Sequence, residues 1–145
     1  VRIRIFLSFD PDHDADLPER FVGQAERPGS AFELTGGSQG HTMTEAWSST
    51  SRTRIQAADQ VVVICGEHTN SSPRVSAELR IAQEEEKPYL LLWGRRERMC
   101  TKPEGARPSD AMYSWTPEIL EGQLREVLRN AASLQTAESI KRPAR

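Results

Sequence analysis

A carboxylate held over the rim of a parallel sheet can stabilise a developing cation, and this chain offers one such group in a well-defined setting. The segment Cys65-Gly-Glu-His-Thr-Asn-Ser-Ser-Pro-Arg-Val-Ser-Ala-Glu78 closes an apolar run and opens a helix. Ser72 has the side chain of an N-cap and Pro73 suits the first helical position, where its missing N–H costs nothing. Glu78 then falls on the second turn beside Leu79, on the side that must face the sheet. That is the region where helix N-termini and strand ends of open α/β sheets meet their ligands. Arg74, one turn earlier at i−4, would hold Glu78 in its charged form. The simpler alternative is an ordinary surface ion pair on a helix.

Other chemistry-bearing residues gather around the first strand and the loops. Ser8, Phe9 and Asp10 end that strand and share the rim with the start of the Ser72 helix. Phe9 could cover a ring and Asp10 could receive a hydroxyl; a core phenylalanine and a capping aspartate are equally open. Asp10, Asp12 and Asp14 also suggest the Mg²⁺-binding carboxylates of a receiver domain. A receiver needs a phosphorylatable aspartate after the third strand, and the chain has Cys65-Gly66-Glu67 there. Gly36-Gly-Ser-Gln-Gly40 is neither a Walker loop nor a GxGxxG fingerprint, and by its residues reads as a solvated connection. His13, His41, His68, Cys65 and Cys100 lack metal-ligand spacing, so no metal site is expected. Cys65 reads as a buried, inert thiol. Glu84-Glu-Glu86 reads as a solvated helix end, where negative charge opposes continuation.

The elements that must position these groups follow from periodicity. Ile3, Ile5, Leu7 and Phe9 alternate with polar residues, which is a strand. A short helix with Leu17, Phe21 and Val22 starts near Asp16, with Pro18 in its first turn. Ala31–Leu34 is a weak second strand, and 43–58 a helix of poor propensity with Ala46, Trp47, Thr50, Arg54, Ile55 and Ala58 on one face. Gln60–Cys65 and Tyr89–Trp93 are continuous apolar runs, as in strands covered on both faces. An irregular basic stretch, 95–110, leads to a short edge strand over 111–115. Thr116-Pro117 then caps a helix that runs to about Ala132. The order β-α-β-α-β-α-β-(β)-α predicts an α/β fold, a flavodoxin-like doubly wound parallel sheet of four to five strands with helices on both faces. It forms one domain over 1–133, followed by a disordered tail over 134–145.

Composition narrows the partners. The 145 residues suffice for a single core, and a formal net charge of −2 leaves no nucleic-acid footprint. The apolar runs are too short to span a bilayer. With no basic and apolar leader pattern at the start and only two cysteines, a reduced cytoplasmic setting is expected.

With those elements in order, Arg4-Ile-Phe-Leu-Ser-Phe-Asp10 resembles the opening strand of TIR-like proteins. Arg54-Ile-x-x-Ala-Asp-x-Val-Val-Val-Ile-x-Gly66 is similar to their second helix and third strand. Val75-Ser-Ala-Glu78-Leu79 is similar to their Trp-Val/Cys-x-x-Glu-Ile/Leu motif, and Glu85-Glu-Lys-Pro-Tyr-Leu90 to the turn into their fourth strand. The match covers residues 2 to about 94 and most resembles the short TIR-like subunit of Thoeris anti-phage systems. Arg74 departs from it, standing where many enzymatic members have tryptophan.

The resemblance implies cleavage of the nicotinamide–ribose bond of NAD, giving an ADP-ribose-type nucleotide, possible as a cyclic signal. NAD is then a substrate and no cofactor is needed. Glu78 is implied as the catalytic carboxylate, with Ser8, Phe9, Asp10, Gly36, Gly37 and Arg74 around the substrate in a cleft open at the rim. The implied partners are a second copy or another TIR-type protein, and an effector that senses the nucleotide product. Neither nucleic acid nor membrane is among them. Two other functions fit the same residues: a non-catalytic TIR-like interaction module, and a nucleoside deoxyribosyltransferase-like enzyme with a carboxylate on an N-glycosidic bond.

Overall fold

A computed structural model of the chain describes residues 2–38 and 42–141, with side chains through residue 130. Its elements are β1 (Ile3–Ser8), α1 (Pro18–Ala25), β2 (Phe32–Gly37), α2 (Glu45–Ala57), β3 (Gln60–Cys65), α3 (Pro73–Glu84), β4 (Tyr89–Trp93), β5 (Met112–Ser114) and α4 (Pro117–Lys141). The five strands form one sheet in the order β2-β1-β3-β4-β5, with every pairing parallel. This is the doubly wound α/β arrangement of the flavodoxin-like order, with its switch point between β1 and β3.

Strand alternation sends the core to both faces. Ile5, Leu7, Val62, Ile64, Leu90 and Leu92 pack with Phe21 of α1 and with Leu120 and Leu124 of α4. Phe6, Val61, Val63, Cys65 and Leu91 pack on the other face with Ile55 of α2 and with Val75, Ile81 and Ala82 of α3. All six residues of β3 are buried, so its unbroken apolar run reflects cover on both faces.

Two expectations change. The second strand does not end at Leu34 but continues through Gly37, so Gly36 and Gly37 belong to the sheet instead of a loop. Register shifts between Ile5 and Phe6, which pair with Leu34 and Gly36, leaving Thr35 as an extra residue and bending the strand. A Cβ at Gly37 would lie 3.1 Å from the Leu7 carbonyl oxygen, so glycine permits the close approach of the two strands there. The last helix does not stop near Ala132: its backbone continues to Lys141, through the first part of the expected tail. Residues 133–141 contain neither proline nor glycine, and Leu, Gln, Ala and Glu are good helix formers. Residues 142–145 of that tail, and residues 39–41, lie outside the described residues. No described helix is long and apolar enough to cross a membrane.

Candidate functional site

The local signal that starts α3 forms as its residues dictate. Ser72 is extended and its hydroxyl accepts the Val75 N–H, with Pro73 in the first turn. Val75, Leu79 and Ala82 then line the buried side of α3. Glu78 stands one turn after Val75 on that same side, so its carboxylate is carried toward the ends of β1 and β2.

Two serine hydroxyls meet it there. Ser8, the last residue of β1, donates from Oγ to Glu78 Oε1 at 2.7 Å. Ser38, directly after β2, donates to the same oxygen in a shorter bond. The Ser38 hydroxyl also accepts the Phe9 N–H at 3.0 Å, and the Ser38 N–H reaches the Leu7 carbonyl at 2.9 Å. Three elements therefore converge on one carboxylate oxygen. Glu78 is 1% exposed.

That burial corrects two expectations. Glu78 does not open into a cleft at the rim; it is enclosed beneath the strand ends. Nor does Arg74 keep it fully charged. Burial pushes the Glu78 carboxyl up to about 7, against the opposing pull of the Ser38 and Ser8 hydroxyls and the Arg74 charge. Desolvation disfavours the anion more than these three neighbours favour it. Near neutral pH the group is divided between its two forms.

The remaining candidates occupy separate positions. Phe9 is half-buried and packs on the face covered by α1 and α4, the opposite face from α3. Asp10 is buried and turned into its own loop: Oδ1 accepts the Asp12 N–H and Oδ2 meets His13 Nδ1 at 2.6 Å. Gly36 and Gly37 supply strand backbone beside Ser38. The Arg74 guanidinium lies 5.1 Å from the centroid of the Trp47 ring, a cation–π contact between α3 and α2. An aromatic ring thus borders position 74 from a neighbouring helix. Trp47 also lines an open cleft of about 230 Å³ with Gly37, Thr44 and Arg54.

Ser38 was not singled out by sequence reasoning. Its position directly after two glycines of β2 is the signal that could have found it, once the strand is seen to continue.

At the β1/β3 switch point a second polar group has formed. Asp14 is 1% exposed, and Arg95 donates to its Oδ1 at 3.1 Å and to Asp16 Oδ1 at 2.7 Å. Burial pushes the Asp14 carboxyl up despite Arg95. Among the described residues there is no group of three or more His, Cys, Asp or Glu arranged to bind a metal. His13 and His68 stack across this loop pair with centroids 4.2 Å apart. Cys65 is fully buried, and desolvation pushes its thiol well above the ordinary range, which suppresses the thiolate.

Comparison of the sequence with models of protein families finds no match, and comparison with curated proteins finds none either.

Proposed function

We propose that this chain is a TIR-like NAD-consuming enzyme in which Glu78 assists cleavage of the nicotinamide–ribose bond. The observation that carries the reading is the convergence of Ser8, Ser38 and Glu78 over the ends of β1 and β2. A buried carboxylate with a pKa near 7, held by two exchangeable hydroxyl donors, suits N-glycosidic chemistry. The bond between the pyridinium nitrogen and the ribose anomeric carbon breaks, and both electrons leave with nicotinamide as a neutral base. The ribosyl centre becomes cationic, and ionised Glu78 stabilises it. A water oxygen, or a nucleophile within the same nucleotide, forms the new bond and its proton passes to Glu78 or to solvent. In this reading a ribose hydroxyl replaces Ser38 as a donor to Glu78, so substrate entry and release of that contact go together. The product is an ADP-ribose-type nucleotide, cyclic or open, acting as a signal in anti-phage defence.

A second reading, the non-catalytic interaction module, is favoured by one observation: Glu78 is enclosed by its own sheet and serines, as a structural carboxyl would be. Arg74 in place of the family's tryptophan favours it too. Incubation of the purified protein with NAD, with and without an infected-cell lysate and across a dilution series, tests the proposal. Nicotinamide release that rises per molecule with protein concentration supports an enzyme that works in association. No release under any of these conditions leaves the module.

A further inference from the structure

One stripe of α2 carries groups that bear on Glu78. Trp47, Thr50, Ser51 and Arg54 stand at i, i+3, i+4 and i+7, and with Gly37 and Thr44 they line a cleft of about 230 Å³ between α2 and the end of β2. A Cβ at Gly36 would lie 3.4 Å from the Arg54 Cβ, so the stem of Arg54 rests on the strand backbone and closes one side of that space.

Ser51 is the informative residue. It is 6% exposed, and among the described residues its hydroxyl makes no hydrogen bond. The usual outlet for a hydroxyl inside a helix is the carbonyl four residues back, as Thr53 bonds Ser49 at 3.0 Å. Ser51 does not take it. Its oxygen is not sealed within the protein either, so it faces the cleft and finds its partner in solvent or in a ligand.

The ring beside it points to a ligand. Half-buried Trp47 lines the same space, and its ring centroid lies 5.1 Å from the guanidinium of Arg74, one turn before Glu78 on α3. Gly37 is followed by Ser38, whose hydroxyl donates to Glu78, so the cleft adjoins the carboxylate through one serine. An indole face attracts a planar cation, while hydroxyl and guanidinium groups suit a ribose and its phosphate. Pockets for drug-sized molecules run to roughly 300–1,000 Å³, so this space holds one half of a dinucleotide and leaves the other half outside.

Resting on the reading of Glu78 as the carboxylate that works on NAD, we infer that this cleft holds the nicotinamide mononucleotide half of the substrate. The pyridinium ring lies against Trp47, a ribose hydroxyl meets Ser51 and the phosphate is directed to Arg54.

Calorimetric titration of the Glu78→Gln chain tests this without consuming the ligand, using nicotinamide mononucleotide and adenosine 5′-monophosphate as the two halves. The Trp47 indole N–H is followed by NMR. Nicotinamide mononucleotide should bind more tightly than adenosine 5′-monophosphate and shift the Trp47 signal. Trp47→Leu should weaken binding about tenfold or more through loss of stacking, and Trp47→Phe should restore most of it. Ser51→Ala should weaken binding about threefold to tenfold while leaving the urea midpoint unchanged, because the hydroxyl makes no bond within the fold. A merely structural serine would lower the midpoint and leave affinity alone. The inference is overturned if nicotinamide mononucleotide fails to bind at millimolar concentration, or if adenosine 5′-monophosphate binds as tightly. Unchanged affinity in Trp47→Leu or in Ser51→Ala also overturns it. Failure of the enzymatic reading looks different: binding that depends on Trp47 and Ser51, without nicotinamide release by the wild type, supports the cleft and refutes the enzyme. Release by the wild type that neither substitution alters refutes the cleft and supports the enzyme.

Discussion

Glu78→Gln should make the protein more stable at alkaline pH and leave it almost unchanged at acid pH. The carboxyl rises from an ordinary 4.5 to about 7 in the folded chain, chiefly through burial. A raised carboxyl pKa means that the folded state binds its proton more tightly than the unfolded state does. The associated stability is fully present below about 4.5 and is lost as pH rises through 7. At roughly 1.4 kcal/mol per pKa unit, the ionised form costs the fold about 3 kcal/mol above pH 8. Glutamine is the neutral isostere: its Oε1 can still accept from Ser8 and Ser38, and it carries no charge to desolvate. Urea unfolding of both proteins at pH 5, 6, 7 and 8, followed by tryptophan fluorescence, gives the difference directly. The variant's advantage should be at most about 1 kcal/mol at pH 5 and grow to about 3 kcal/mol at pH 8. Asp14, raised by burial, and His13, raised by its bond to Asp10, also lose stabilisation as pH rises. Both are common to the two proteins, so the difference isolates Glu78. A gap that does not change with pH would refute the argument that burial dominates the charge state of this carboxylate.

Other perturbations follow from the same contacts. Ser38→Ala removes one of two donors from the buried carboxylate, so its titration, read by carboxyl NMR, should move further above 7, and stability at pH 8 should fall by about 1–3 kcal/mol. Gly66→Ala would bring a Cβ to 2.3 Å from Asp14 Oδ2; overpacking of this kind costs about 1–3 kcal/mol, and the loss should appear as a lower urea midpoint. Trp47→Ala removes the ring over which the Arg74 guanidinium lies; because the Arg74 charge acts on Glu78, the Glu78 titration measured by NMR should change, which an unrelated surface tryptophan would not do.

The elements legible in the sequence were those whose signals are local. Gln60–Cys65 and Tyr89–Trp93 are uninterrupted apolar runs with one available explanation, and the structure gives them those bounds. Ser72 and Pro73 set the start of α3 because a cap and a first-turn proline act within four residues. β2 was misjudged because two glycines normally end a strand. Here they continue it beside β1, where a Cβ at Gly37 would crowd the Leu7 carbonyl. The candidate site divides in the same way. That Glu78 faces the sheet follows from helical spacing. That it is buried depends on Ser8 and Ser38, residues 70 and 40 positions away in the chain, and no local pattern announces such a meeting. Asp10 looked available for a ligand because its partner, His13, follows as one more polar residue of an aspartate-rich loop.

The central claim is that Glu78 promotes breakage of the nicotinamide–ribose bond, and nicotinamide release by the wild-type chain and Glu78→Gln across pH 5–9 tests it most directly. Release by the wild type should rise through pH 7 as the carboxylate ionises and then level off, since the anion is the form that stabilises a ribosyl cation. The variant should be folded and slower by on the order of a hundredfold or more, with no rise near pH 7. Equal rates for the two proteins, or a wild-type profile flat through pH 7, would contradict the assignment of Glu78 as the catalytic carboxylate.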